Sequence, residues 1–344
     1  MPADSGESHD GPSAPGAGGD SRLSAAERAR LDAIRAAESL ANLQKLTGAD
    51  SDHDAYFAAK EEWFDLRERE LADPDCDDIQ VTTASRDERT RSDSGFSGAR
   101  VDIDGHSFWV HGITHAGTGE ERAFVREHVS HFLDAGATIY CEQGIRRMYL
   151  ADVAGVCEMD DYNWALAQCE NLDVTPPSEF GEVEFDGLVE DVASLASRFR
   201  RAAFSLIDSG RNVYGEQFAM ALGDVASDFL MSHEEFSTGE DFASFAIAGE
   251  AARNPHKLGD LQRYYEQSFL PSPLEREWLR RHDRHLEAVT HARNERIAEY
   301  AVYHNDAAER IHLLVGAAHQ PGVRYYLERF RDGHPRPANL KLFL

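Results

Sequence analysis

Two mainly apolar runs in this chain end alike, in a glycine, two uncharged residues and a histidine. Val110 to His115 reads VHGITH, and Leu314 to His319 reads LVGAAH. Each precedes a stretch of helical pattern, so each describes a strand that breaks at a glycine and passes into a helix. A fold that lays these two strands in one sheet brings imidazoles from about two hundred positions apart to one place, as metal sites are commonly built.

The bare pattern is cheap. With 26 glycines and 16 histidines in 344 residues, chance supplies roughly one G-x-x-H, and a third copy, Gly6 to His9, stands in a Gly/Pro/Ser-rich tail. Context distinguishes the other two. Before the first, Val101 and Ile103 alternate with polar residues, Asp104-Gly105 is a two-residue turn signal, and Phe108 and Val110 resume the alternation. This predicts a hairpin whose second strand ends at Gly112. Thr118 and Glu121 form a capping-box pair, and Phe124, Val125, Val129, Phe132 and Leu133 give the next helix an apolar face that Gly136 terminates. Ala137 to Glu142 is then a β-branched and aromatic strand. Strand, helix and strand fit in about 30 residues, the size of a βαβ unit with parallel strands.

The rest of the chain predicts helices. Residues 1–22 are too poor in apolar side chains to offset the entropy of ordering and read as a disordered acidic tail. Residues 23–98 carry one helix from Ser24 to Leu46, a second from about Ala55 to Leu71, and an acidic linker. Residues 150–305 are helical in pattern with no readable strand, interrupted at Pro176-Pro177, Gly210 and Pro271 to Pro273, so residues 150–280 form a large insertion. Leu279, His282, Leu286, Val289, Arg293, Ile297 and Tyr300 follow spacings of three and four on one helix, which puts Arg293 on a stripe that otherwise reads as buried. Ile311 to Val315 is the last strand and Gly322 to Phe330 the last helix. The expected fold is α/β: a mixed, partly parallel central sheet flanked by helices, spanning residues 99–344.

Charge narrows the partners. The chain has 62 acidic residues against 35 basic ones, for a net charge of −27, and its only lysines are Lys45, Lys60, Lys257 and Lys341. Such a surface repels nucleic acid and anionic membranes. It suits concentrated salt, where self-repulsion is screened within about 3 Å at molar ionic strength. Four cysteines without C-x-x-C spacing predict reduced, mostly buried thiols. No run of 18 apolar residues and no signal peptide is present, which predicts a cytoplasmic protein without a membrane span.

In an open α/β sheet, ligands bind beyond the carboxyl ends of the strands. His115, Glu142 and His319 are all expected there. Two imidazoles and a carboxylate with an open fourth position suffice for a catalytic divalent metal, which lowers the pKa of bound water to about 7 and polarises a carbonyl. Glu142 could serve instead as general base. Arg293, if buried, needs an anionic partner: Glu142, a substrate carboxylate or an oxyanion. His128 with His131, and His282 with His285, lack a supporting carboxylate pattern and are expected on solvated faces; His111 is expected to pack.

Assembled, these residues resemble the TraB/PrgY family, related to the Tiki metalloproteases and more distantly to erythromycin-esterase-like and ChaN-like proteins, in a haloarchaeal-type member. GITHAGTGEERAFVREHV looks like the family's first G-x-x-H with its charged helix, and ATIYCEQGIRR like its strand ending in Glu followed by Arg. ARNERIAEY resembles the Arg-Asn segment, and LLVGAAHQPGV is similar to the closing G-x-x-H with a glycine three residues on. The resemblance implies a metal-dependent, peptidase-like hydrolase acting on a peptide or small molecule. Its metal (Mn, Co or Zn) would be held by His115, His319 and Glu142, supported by Arg147 (or Arg146), Arg293 and Asn294. Two other readings stand beside it: a non-catalytic protein holding a peptide or small ligand in the same pocket, and a scaffold whose N-terminal helices make a homo-oligomer.

Overall fold

The Asp104-Gly105 turn joins the first two strands of the sheet. In the computed structural model, which describes residues 22–72, 95–172, 200–211, 213–231, 239, 241–305 and 308–334, both turn residues have positive φ (50° and 86°), as a type I′ turn requires. They join β1 (Ala99–Ile103) to β2 (His106–Ile113) with Ile103 opposite His106. The expected linker lies largely outside the described residues, as do the tail up to residue 21 and Pro176-Pro177.

The sheet has the order β1-β2-β5-β3-β4, with β3 at Thr138–Cys141, β4 at Val156–Glu158 and β5 at Arg310–Gly316. Only the β1–β2 pair is antiparallel. The predicted unit β2–helix–β3 forms, through α4 (Gly119–Asp134), and its strands are parallel, but β5 lies between them and pairs with both. Strand β4 corrects the expectation of no strand within residues 150–305. With three residues, of which only Val156 is buried, it is too short to show a period. Gly112 is level with Val315, and Cys141 is level with both Leu314 and Glu158, so four strand ends share one edge.

The inner strand β5 is buried from Ile311 to Gly316, as a strand covered on both faces must be. On one face, Phe124, Val129 and Phe132 of α4 pack with Ile139, Leu314, and Leu258 and Leu261 of α9 (Leu258–Ser268). On the other, Ile297 and Ala301 of α11 (Arg293–Tyr303) and Val323 and Leu327 of α12 (Gln320–Arg331) cover Ile311, Leu313 and Val315. Burying each such aliphatic side chain contributes about 1.5–3 kcal/mol. Between β3 and β4, α5 spans Gln143–Tyr149; α6 (Tyr162–Leu172), α7 (Glu216–Leu230), α8 (Phe242–Arg253) and α10 (Ser272–His282) belong with α9 to the insertion, where residues 200–211 are helical too.

The predicted long helices are broken. The N-terminal one divides into α1 (Ala25–Arg35) and α2 (Leu40–Thr47), because Ser39 caps a new N-terminus through Asn42 N; α3 follows at Asp52–Ala72. Their apolar side chains, among them Leu31, Leu43, Tyr56 and Trp63, share a core with Leu274 and Trp278 of α10. Tyr56 stacks on Trp278 at 4.2 Å and donates to the buried Glu275 at 2.5 Å. The helix expected through Arg293 ends at His282, where Asp283 caps a single turn (Arg284–Glu287), and a π-turn at Ala288–Ala292 leads into α11.

His128, expected on a solvated face, is buried against Phe96 and Phe124. His111 packs as expected. Its Nδ1 donates to Ser97 O at 2.9 Å, which leaves Nε2 to accept from His312 Nδ1 at 2.9 Å. Phe132 stacks on His312 at 3.8 Å and Phe96 on His111 at 4.5 Å. Burial depresses both imidazoles, His111 from 6.5 to about 4 and His312 from 6.5 to about 2. The unfolded chain therefore takes up these protons at a pH where the fold refuses them. We expect the contribution of these two imidazoles to stability to be flat above pH 6.5 and to fall between pH 6.5 and 4, by about 1.4 kcal/mol per pH unit for each. Urea midpoints across that range check it: a slope unchanged in a His111→Phe/His312→Phe double variant would contradict this origin.

Candidate functional site

The edge where the strands end collects the chemistry. His115 follows β2, Glu142 follows β3, Asp161 follows β4 and His319 follows β5. His115 holds φ 61°, left-handed backbone that costs a non-glycine residue about 1–3 kcal/mol and persists only where neighbours impose it. Here the neighbours are explicit. The fully buried Glu121 carboxylate accepts from Thr114 N (2.7 Å), Thr114 Oγ1 (2.8 Å) and Tyr149 Oη (2.5 Å), and Gly117 N donates to Tyr149 Oη at 2.8 Å. Only half of the predicted capping box therefore forms: Thr118 Oγ1 accepts from Glu121 N, while the Glu121 side chain clamps the His115 loop.

Glu142, 1 % exposed, does not cap α5 with its side chain. Its Oε1 accepts from Gly316 N at 2.9 Å, and its Oε2 accepts from Arg293 Nη2 at 3.1 Å and lies 3.5 Å from His115 Nε2. Asp161 Oδ2 accepts from Arg293 Nε at 2.8 Å and from Nη2 at 2.6 Å. Arg293 Nη1 lies 3.3 Å from His319 Nε2, and Asn294 Oδ1 lies 2.8 Å from His319 Nδ1. A guanidinium only donates, so Nε2 of His319 accepts and Nδ1 carries the proton toward Asn294.

Burial opposes ionisation of Glu142, but His319, His115 and Arg293 around it outweigh that and hold it at about 2. Burial lowers His319 to about 4, with Glu142 pulling it back up and Arg293 pushing it further down. Asp161 is raised to about 6 by burial; Arg293 opposes the shift and the Glu142 charge adds to it. At neutral pH the centre holds two carboxylates, one guanidinium and a neutral His319.

The motif glycines have a steric reason. A β-carbon on Gly112 would come 2.8 Å from Ala317 Cα, and one on Gly316 would come 3.0 Å from His115 Nε2 and 3.4 Å from His319 Cδ2. Both imidazoles thus close on Gly316. On Gly322, a β-carbon would meet Asn294 Nδ2 at 2.1 Å, so the glycine after the second motif makes room for the residue that orients His319.

A cavity of about 410 Å³ opens over these groups, lined by His115, Glu142, Tyr162, Arg293 and His319 among others. His115, with a side chain 35 % exposed, is open to a ligand. Arg147 is exposed and lines this cavity, whereas Arg146 turns away to donate to Val153 O at 3.0 Å. Sequence reasoning missed Asp161. Its signal was the pair Asp160-Asp161 just after VCEM, a strand too short to notice.

The donor chemistry of His115, Glu142 and His319 is that of a divalent-metal site, but the arrangement does not fit one. The Arg293 guanidinium fills the space between Glu142 and His319 and engages the Nε2 lone pair a metal would need. Among the described residues, no group of three or more His, Cys, Asp or Glu is arranged to hold a metal ion. No described helix is long and apolar enough to cross a membrane. Comparisons with protein-family models, with curated proteins and with solved structures found no match to this chain.

Gly322→Ala should force Asn294 off His319 and cost about 1–3 kcal/mol in denaturation experiments. Gly249→Ala in α8, where the new methyl meets nothing closer than 4.0 Å, should not destabilise. A Gly322→Ala protein as stable as wild type would refute the steric role.

Proposed function

We propose that this chain is a TraB/PrgY-type, peptidase-like hydrolase that cleaves an amide bond in a peptide or small-molecule substrate. The observation that carries the reading is an accessible imidazole, His115, set against a buried ionised carboxylate, Glu142, with a buried guanidinium beside both. In this reading His115 takes a proton from the attacking water, Glu142 compensates the charge that forms, and His115 returns the proton to the leaving amine as the C–N bond breaks. Arg293 has five N–H groups; four donate to Asp161, Glu142 and His319, and the fifth, on Nη1, goes to the carbonyl oxygen as it becomes an oxyanion. Asn294 and Asp161 position His319 and Arg293, and Arg147 at the mouth contacts the substrate. The acidic surface fits work in concentrated salt inside the cell.

A metal-dependent form of the same site is favoured by one observation, the closing of both imidazoles on Gly316 beside Glu142. It requires Arg293 to leave the space between Glu142 and His319.

Hydrolysis of a mixed fluorogenic peptide library in high salt tests the reading. Cleavage should fall by about 100-fold or more in His115→Ala and in Arg293→Lys, and should survive a chelator. Cleavage that appears only with manganese, cobalt or zinc, together with stoichiometric metal lost in His115→Ala and His319→Ala, supports the metal-dependent form instead. Peptide binding without cleavage, altered in affinity by Glu142→Gln, makes the chain a binding protein and sinks both hydrolytic forms.

A further inference from the structure

Behind His319 lies a second cavity, of about 390 Å³, formed where α3 meets α9, α10 and α12. Ala318 and His319 line both cavities and so stand as the wall between them. The second cavity has a mixed lining, in which Phe269, Leu270, Leu279 and Pro321 form an apolar part beside charged side chains such as Arg67, Glu266 and Arg324. It also carries several buried polar atoms without a partner. Among the described residues, neither carboxylate oxygen of Glu266, whose side chain is 7 % exposed, has a hydrogen-bond partner; its ion pair with Arg324 Nη1 is 3.6 Å long. Arg67 Nε, Trp63 Nε1 and His291 Nδ1 are likewise buried and unsatisfied.

Orphaned buried polar groups cost about 1–3 kcal/mol each, more where charged, and are rare. Four lining residues of one cavity carry them. Their chemistry is of two kinds: an acceptor pair on Glu266 and donors on Arg67 and Trp63. An anion alone would satisfy the donors and face the Glu266 carboxylate. A cation alone would satisfy Glu266 and face Arg67 and Arg324. A zwitterion satisfies both, and the apolar part of the lining accommodates a hydrocarbon side chain. The volume suits a molecule of that size.

We propose that this cavity binds a free α-amino acid with an apolar side chain, its ammonium on Glu266 and its carboxylate on Arg67 and Trp63. Burial raises Glu266 toward its neutral form, against the charges of Arg324 and Arg67, and an arriving ammonium favours the ionised carboxylate. The site is separate from the candidate hydrolytic centre and does not rest on its assignment.

Isothermal titration of the full chain with L-leucine and L-phenylalanine tests the site, with N-acetyl-L-leucine and L-leucinamide as probes lacking one charge each. Stoichiometric binding of the free amino acids is expected, with each capped analogue weaker by about tenfold or more. Glu266→Gln, which is nearly isosteric and removes a poorly paired buried charge, should fold and bind the free amino acids about tenfold more weakly or worse. Glu142→Gln should bind as wild type does. No binding at millimolar ligand, equal binding of the capped analogues, or binding lost in Glu142→Gln and retained in Glu266→Gln would each overturn the proposal.

Discussion

Arg293 is the joint on which the edge of the sheet depends. Its guanidinium, on α11, meets Glu142 after β3, Asp161 after β4 and His319 after β5, so one side chain ties together distant segments and itself reaches a partner 151 positions away. Two carboxylates buried this close would repel each other without it. Asp161 already shows the strain, held at about 6 first by burial and then by the Glu142 charge. Removing one partner of such a group leaves an uncompensated internal charge, at a cost of about 3–5 kcal/mol. The π-turn at Ala288–Ala292 has its reason here. It ends directly before Arg293, and the extra residue it inserts sets the side of the helix from which the guanidinium emerges.

Close packing does the rest. The parallel register puts the two motif strands side by side with Ile113 opposite Gly316, and that pairing works because neither motif glycine carries a side chain. Gly112 admits the backbone of Ala317, Gly316 admits both imidazoles, and Gly322 admits Asn294. The resemblance between VHGITH and LVGAAH is therefore a resemblance of local geometry: a strand end that must approach another backbone before a histidine turns over it.

The hairpin, the strand ending in Glu142 and the two motif strands were legible because period-2 alternation and turn glycines are local signals. His115, Glu142, Arg293 and His319 were legible for a related reason: each is polar at the end of, or within, an apolar pattern; Asn294 was named only through the resemblance. Other features were not. Asp161 follows a strand of three residues, and no period can be read in three. The break of the expected helix after His282 rests on Asp283 turning to cap Leu286 N, a competition between side chain and backbone that a regular apolar stripe conceals. His128 was set on a solvated face for want of a carboxylate pattern beside it, although Phe124 and Phe132 stand four residues to either side on α4, and Phe96 arrives from outside the helix to bury it. That Arg293 would pair inside the protein was one of two open readings; the sequence could name Glu142 as a partner but had no means to name Asp161.

The charge count of the centre bears on what it can accept. With Glu142 and Asp161 ionised, Arg293 cationic and His319 neutral, these buried groups sum to one negative charge at neutral pH. A substrate carboxylate entering there would meet net repulsion, since the single guanidinium is already shared between two protein carboxylates. In the proposed hydrolytic reading a neutral amide meets none, and its carbonyl oxygen gains negative charge only as the transition state forms, beside the one Arg293 N–H without a partner among the described residues. Binding is then weaker in the ground state than in the transition state, the condition under which a polar group accelerates a reaction rather than merely holding its substrate. The same count favours an internal bond of a peptide over its carboxyl terminus, unless Arg147 at the mouth supplies the missing charge.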